Sequence, residues 1–344
     1  MKKIFLYLFL LAVASGATAQ DLHFSQFMNA PLTTNPANTG FIPDGDYRLG
    51  VNYRNQWAAI MAMPYKTMSA FADVQVLRDR MENGWVGLGG MLLRDEAGSG
   101  NLTSTKVYGS VAYHQLLGLS SLLSLGFNVG YANKRINVAN LEFPDQFDGF
   151  FFDNKLPTSA VLDRTSTSYF DMQVGMNYAY FPTERIYVNG GFSMHHVNRA
   201  RESFFTSDNT TLDNRIPRRY IGFLNGSFML NDSWIVNPNV YYTAQARSSE
   251  LVGGANVQYN LSGDGVYQLL GGVYYRYQES FVPLLGVGFK DYTLSFTYDA
   301  TVSSLNRFNG SRGAFEFALV KQGVFSNRGG RPLQTICPSF RNLN

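Results

Sequence analysis

The chain has 344 residues, with 28 basic, 25 acidic and four histidine residues and a formal net charge of only +3, so no basic field favours nucleic acid. Its single cysteine excludes an internal disulfide framework. Aromatic residues match charged residues at 15% each, beside 33 glycines, an unusual mixture for an ordinary soluble domain.

The chain opens with Lys2 and Lys3, an apolar run from Ile4 to about Ala14, and the small residues Ala17-Thr18-Ala19. This is the pattern of a secretory signal peptide over 1–19, cleaved before Gln20. The apolar run is too short to span a membrane as a helix. A lipid anchor would need a cysteine at the cleavage site, and the one cysteine is Cys337. Losing Lys2 and Lys3 takes the 28 basic residues to 26, against 25 acidic. No later stretch approaches the roughly 18 continuous apolar residues of a helical span.

Residues 20–46, QDLHFSQFMNAPLTTNPANTGFIPDGD, carry Pro31, Pro36 and Pro43 and no clear period. This segment is expected to be periplasmic, either plugging the lumen of a barrel built by residues 47–320 or resting on its rim.

From Tyr47 to residue 320 the chain reads as about fourteen strands separated by turns. They fall near 47–54, 65–75, 84–93, 103–113, 122–131, 168–180, 185–195, 219–229, 234–244, 250–260, 267–277, 281–289, 291–299 and 313–320. Lengths of roughly 8–12 suit a tilted transmembrane strand of about 9–11 residues better than a soluble strand of about 5–6. In the clearest case, Tyr292, Leu294, Phe296 and Tyr298 alternate with Thr293, Ser295, Thr297 and Asp299. A strand sends successive side chains to opposite faces, giving one apolar and one polar face. The same alternation recurs over Leu123–Tyr131, Phe170–Tyr178, Leu251–Leu261 and Ala314–Leu319. Residues 266–275 are nearly all apolar, which suits an inner face packed on protein. Pro238 and Pro283 fall inside two of the strands and either demote them or mark bulges.

The connections sort by length. The odd-numbered ones are longer, and the two longest, near 132–167 and 196–218, fall on the same side. The pattern predicts an all-β fold, a transmembrane up-and-down antiparallel β-barrel of about fourteen strands in an outer membrane, with lipid as its surroundings. With an even strand count, the N-terminal segment and the tail at 321–344 both lie on the periplasmic side.

The candidate chemistry is sparse. The histidines are His23, His114, His195 and His196, and no partner serine marks a lipase-like triad. His195 and His196 end a strand, where alternation sends one out and the other in. A histidine at the headgroup interface is the ordinary reading, and no enzyme is expected. Asp145, Asp148 and Asp153 lack the spacing of a calcium loop, so neither a metal nor a cofactor is expected. The triplet Phe150-Phe151-Phe152 either folds back as a lid on the lumen or meets a partner. The highest functional weight falls on His23, Phe24, Gln26, Asn35 and Arg54, as plug or partner-binding residues. Arg328, Arg331 and Cys337 make the tail the best candidate for a periplasmic docking site.

These end segments also carry a resemblance. Gln20, Asp21, His23, Phe24, Ser25, Gln26 and Phe27, then Asn35, Pro36, Ala37 and Gly40, resemble the N-terminal signature of the PorP/SprF family of Bacteroidota outer-membrane proteins. Arg48, Tyr53, Arg54, Gln56 and Trp57 match its next block, continued by Tyr65, Ser69 and Asp73. GAFEFAL near the end resembles the family's last strand, and Cys337-Pro338-Ser339-Phe340 its tail, with Ser339 where arginine is more usual.

The resemblance implies a non-enzymatic barrel of the type IX secretion and gliding machinery. It implies export or surface anchoring of large adhesins, or other cargo bearing a C-terminal sorting domain. It implies as partners periplasmic ring lipoproteins or a peptidoglycan-binding protein. The rival reading is a FadL-like transporter of small hydrophobic molecules, which would also have about fourteen strands and an N-terminal plug. A general porin has no use for the N-terminal signature.

Overall fold

Alternation with period two becomes, in the computed structural model, the two faces of a closed sheet. The structure describes residues 23–325, except positions 44, 79 and 99–101, most of 138–163 and all of 205–213. The signal peptide at 1–19 and most of the tail lie outside the described residues.

Fourteen strands are formed among the described residues: β1 Tyr47–Gln56, β2 Tyr65–Val76, β3 Gly84–Ala97, β4 Leu102–Leu116, β5 Ser121–Arg135, β6 Ser166–Thr183, β7 Ile186–His195, β8 Arg219–Asn231, β9 Trp234–Gln245, β10 Ser248–Asn260, β11 Tyr267–Arg276, β12 Ser280–Phe289, β13 Tyr292–Thr301 and β14 Arg312–Gly323. Each pairs antiparallel with its sequence neighbours, and β1 closes on β14 from Tyr47↔Gly323 to Gln56↔Ala314. Closure removes the unpaired edges that an open sheet would present.

Side chains sort as the alternation requires. In β13, Tyr292, Leu294 and Tyr298 are exposed while Ser295, Thr297 and Asp299 are buried. In β5, Leu125, Phe127, Val129 and Tyr131 face out while Ser124 and Asn128 face in. Burying apolar surface is worth about 25 cal/mol per Å². An apolar belt around the whole outer wall is therefore a lipid-facing surface, not a water-facing one. Outward aromatic pairs line one end, with Trp234 and Tyr259 ring centroids 4.6 Å apart and Tyr267 and Phe289 5.0 Å apart. That is the position of an interfacial girdle.

The longest connections, 136–165 and 196–218, lie at the end opposite β1's first residue. This is the long-loop end. The chain enters β1 and leaves β14 at the short-loop end, where the Asp46 backbone N–H donates to the Gly323 carbonyl at 2.8 Å.

Two expectations are corrected. Pro238 and Pro283 neither demote their strands nor create bulges. The β12–β13 ladder passes from Phe281↔Ala300 to Leu284↔Thr297, and the β8–β9 ladder from Asn225↔Asn239 to Phe228↔Val236, with register unchanged. A proline lacks the N–H for one rung, and the rungs on either side hold the strand. The histidines are not at a headgroup interface either. His114, His195 and His196 are all buried. His195 and His196 do not split in and out, because His196 adopts a left-handed backbone conformation with φ 56° that turns it inward as well.

Residues 23–43 lie within the barrel. Phe27 packs with Ile221, Tyr241, Val252 and Tyr274, on β8 to β11. Phe24, Ala30 and Leu32 pack with Phe71, Met91 and Tyr108, on β2 to β4. On the inward face of β11, Tyr274 and Leu270 thus meet protein, beside the inward Arg276. The segment folds as short turns, Phe27–Asn29, Pro31–Thr34 and Pro36–Asn38. Each of the last two begins at a proline, whose fixed φ and missing N–H suit a first helical position.

Candidate functional site

The site is the contact between the N-terminal segment and the inner wall. It has three parts, stacked from the long-loop half towards the short-loop end.

The first is a buried charge cluster. Arg54 on β1 lies 2.8 Å from Asp299 on β13 and 3.3 Å from Glu316 on β14. Arg276 on β11 lies 2.9 Å from the same Asp299 and 3.2 Å from Glu279. Into this cluster the segment inserts Ser25 and Gln26. Their backbone N–H groups donate to the two carboxylate oxygens of Glu316 at 2.8 and 2.9 Å. The Ser25 hydroxyl receives hydrogen bonds from Arg54 at 2.6 Å and Arg276 at 2.7 Å, and lies 2.9 Å from both Asp299 oxygens. The Gln26 amide donates to the Glu316 carbonyl at 3.1 Å and accepts from the Ser295 hydroxyl at 2.6 Å.

A non-repeating segment has no ladder for its N–H groups, and a buried unpaired one costs about 1–3 kcal/mol. Glu316 supplies two acceptors at once. The charges need one another equally, since an ion taken from water without its partner is costly.

His23 sits beside this cluster, its Nε2 3.7 Å from a Glu250 oxygen. Glu250 pulls the imidazole pKa up. Burial and the guanidinium groups of Arg276, Arg54 and Arg219 outweigh it and hold the pKa at about 4. His23 is neutral at pH 7.

The second part is built on Asn35 to Gly40. The Asn35 side chain accepts from the Ala37 N–H at 2.8 Å and donates to the carbonyls of Met176 at 2.9 Å and Phe192 at 3.3 Å. It therefore caps its own turn and bridges β6 to β7. The wall makes room with glycines. A Cβ at Gly126 would lie 2.2 Å from the Pro36 carbonyl carbon, and one at Gly175 1.9 Å from Asn35 Oδ1. The Thr39 carbonyl lies 2.8 Å from His114 Nε2, and the Gly40 carbonyl accepts from Trp85 Nε1 at 2.9 Å. Gly40 itself has φ 66°, and a Cβ there would lie 2.4 Å from the Gly87 Cα. Only glycine meets both conditions.

The third part fastens the end of the segment. Arg48 donates twice to Asp73, at 3.1 and 2.8 Å, and once to the Asn38 carbonyl at 3.0 Å. Asp73 also accepts the Gly40 N–H at 2.8 Å. A fork-to-carboxylate pair of this kind fixes orientation as well as charge.

His23, Phe24, Gln26, Asn35 and Arg54 thus all lie inside the barrel, with His23, Gln26 and Arg54 at the charge cluster, Phe24 packed against β2 to β4, and Asn35 apart in the second part. Trp57 does not join them. It lies beyond β1 at the long-loop end, where its N–H donates to the Gly313 carbonyl at 2.7 Å and its ring meets Tyr65 edge-on. Phe150 and Phe151 are 85% and 75% exposed, so they do not close the lumen as a lid. Phe152, Arg328, Arg331 and Cys337 lie outside the described residues. Among the described residues, no three His, Cys, Asp or Glu side chains gather as a metal site.

Reading from sequence alone passed over Arg276, Asp299, Glu316 and Asp73 as site residues. The available signal was a charged residue on the inward side of an alternating strand. The same signal marks Asp171, buried between the Tyr108 hydroxyl at 2.6 Å and His196 Nδ1 at 2.9 Å.

Among known protein families, the model described as type IX secretion system membrane protein PorP/SprF matches residues 17–320. No curated protein sequence matches the chain. Among solved structures, the Ralstonia pickettii toluene transporter TbuX is 12% identical, with a TM-score of 0.49 over 86% of this chain and 94% of its own. A Pseudomonas aeruginosa FadL homologue is 10% identical, with a TM-score of 0.48 over 84% and 92%. The translocator domain of autotransporter NalP from Neisseria meningitidis is 12% identical, with a TM-score of 0.44 over 87% and 95%.

Proposed function

The chain belongs to the family of type IX secretion system membrane proteins PorP/SprF, and from that premise we propose that this outer-membrane barrel works as a scaffold with a closed lumen. In this reading residues 23–43 are a resident plug, not a segment that leaves to open a pore. The observation that carries it is the cluster of Arg54, Arg276, Asp299 and Glu316 closed around Ser25 and Gln26. Withdrawing the segment would strip Glu316 of two N–H donors and both arginines of the Ser25 hydroxyl, inside a wall where water cannot replace them freely.

The barrel then contributes position and surface. The short-loop end faces the periplasm, and the tail after residue 325 meets periplasmic ring lipoproteins or a peptidoglycan-binding protein. The long-loop end faces outward, and the connections 136–165 and 196–218 meet a large adhesin or other cargo with a C-terminal sorting domain. This division is favoured by the sorting of the long connections to one end, since exported barrels keep their short turns periplasmic.

The test is an affinity pull-down of the tagged protein from detergent-extracted outer membranes, with mass spectrometry of what co-elutes. Recovery of a ring lipoprotein, a peptidoglycan-binding protein or a sorting-domain adhesin is the expected outcome. Recovery of the barrel alone, carrying a hydrophobic small molecule, would replace the scaffold with a transporter.

A further inference from the structure

The outer wall changes character abruptly across β2 to β6. One cross-strand row facing out is Ala70, Leu92, Val107, Tyr131 and Phe170, apolar throughout. Two residues nearer the long-loop end, the row is Met68, Arg94, Thr105, Asn133 and Ser168. The next is Lys66, Glu96, Thr103, Arg135 and Ser166. Rows two residues apart are separated by roughly 6–7 Å along a strand. The edge of the hydrocarbon therefore lies just below Arg94, and the cations sit at headgroup depth.

Two depressions meet at that edge. A polar one of about 540 Å³ is lined by Arg94, Thr103, Thr105, Asn133 and Arg135. An apolar one of about 420 Å³ is lined by Val51, Met68, Ala70, Leu92, Phe317 and Leu319, and again by Arg94. Its floor is Ala70, a methyl group flanked by its cross-strand partners Val51 and Leu92. Arg94 joins the two into one amphiphilic groove. Its guanidinium donates to Glu96 at 2.9 and 2.6 Å, and with that pair offset, Lys66 and Arg135 in the same outward rows leave this face with an excess of positive charge. Arg135 is exposed and has no ion pair among the described residues.

We propose that this groove binds one phosphorylated glycolipid of the lipid A class. A phosphate lies between Arg94 and Arg135, sugar hydroxyls meet Thr103, Thr105 and Asn133, and an acyl chain lies along Ala70. The polar depression is what selects a saccharide headgroup, because a small glycerophosphate would need the cations but not the row of hydroxyl and amide groups beside them. The assignment to this lipid rests on the reading that the long-loop end faces outward.

The experiment is native mass spectrometry of the full-length protein in detergent, incubated with lipid A or with phosphatidylglycerol. The parent is expected to retain one lipid A, and the Arg94→Gln/Arg135→Gln variant to retain it at least tenfold less. Ala70→Leu, which fills the groove and touches no charge, is expected to weaken retention as well, and it serves if the double variant does not fold. Equal lipid A retention by parent and variants would overturn the site. Retention of phosphatidylglycerol instead, still dependent on the arginines, would overturn the lipid A assignment. Neither result depends on which proteins co-elute in the pull-down.

Discussion

Glu316, in the first half of the last strand, accepts the backbone N–H of Ser25 at 2.8 Å across 291 residues of sequence. The start of the folded chain is thereby tied to the strand that closes the barrel. Arg54 on β1 binds Glu316 and Ser25 together, so the segment is held at the seam where β1 closes on β14.

Removing one member of the cluster should therefore loosen the segment. Arg54→Met leaves Glu316 without its arginine and Asp299 with one of two. Breaking a buried pair from one side costs about 3–5 kcal/mol. The expected outcome is a barrel that still inserts, with faster proteolysis near residues 23–43 and measurable conductance in planar bilayers. Parent-like silence in the bilayer, together with parent-like protease resistance, would argue against a resident plug.

The glycines of the wall make a separate prediction. Gly126→Ala puts a methyl group 2.2 Å from the Pro36 carbonyl carbon, against backbone that cannot swing away. Overpacking of this kind costs about 1–3 kcal/mol. The substitution should lower thermal stability in the full chain and have almost no effect in a chain lacking residues 23–43. Equal destabilisation in both would mean that Gly126 serves the sheet and not the segment.

Much of this fold was legible in the sequence because the barrel signal is local. Thr297 and Asp299 face in for no reason beyond the period-two backbone. The site was less legible because its pairs are not local. Nothing near Arg54 announces Asp299 or Glu316, which reach it only through closure of β1 on β14. Asn35 and Gly40 could be singled out as turn formers, but their partners at Gly126, Gly175 and Gly87 are glycines like any others in a strand. His196 was misplaced for a different reason. Alternation holds only while the backbone is extended, and its φ of 56° ends the strand one residue too soon for the rule.

His23 contributes a pH dependence of its own. Its folded pKa of about 4 lies below the ordinary 6.5, so folding favours the neutral ring. The contribution is complete above about pH 6.5 and is lost as the pH falls towards 4, where the unfolded chain binds a proton that the folded chain refuses. A displacement of this size corresponds to roughly 3 kcal/mol as an upper bound. His23→Asn should flatten the loss of thermal stability between pH 6.5 and 4 relative to the parent. Parallel curves for the two proteins would show that the ring charges freely in the fold.

The tail offers a deletion that should leave the fold intact. The β1–β14 ladder is complete at Tyr47↔Gly323. Phe325 then docks at the short-loop end, its N–H donating to Asp46 at 2.9 Å and its ring 5.4 Å from Tyr47. Ending the chain after residue 325 removes Arg328, Arg331 and Cys337 without breaking a rung or this contact. The truncated barrel is expected to keep the heat-dependent gel mobility of a folded barrel and its parent melting temperature, yet lose its periplasmic partners in the pull-down. A truncated barrel that still recovers those partners would move the docking site to the short turns of the same end, of which 77–83 and 261–266 are the longest.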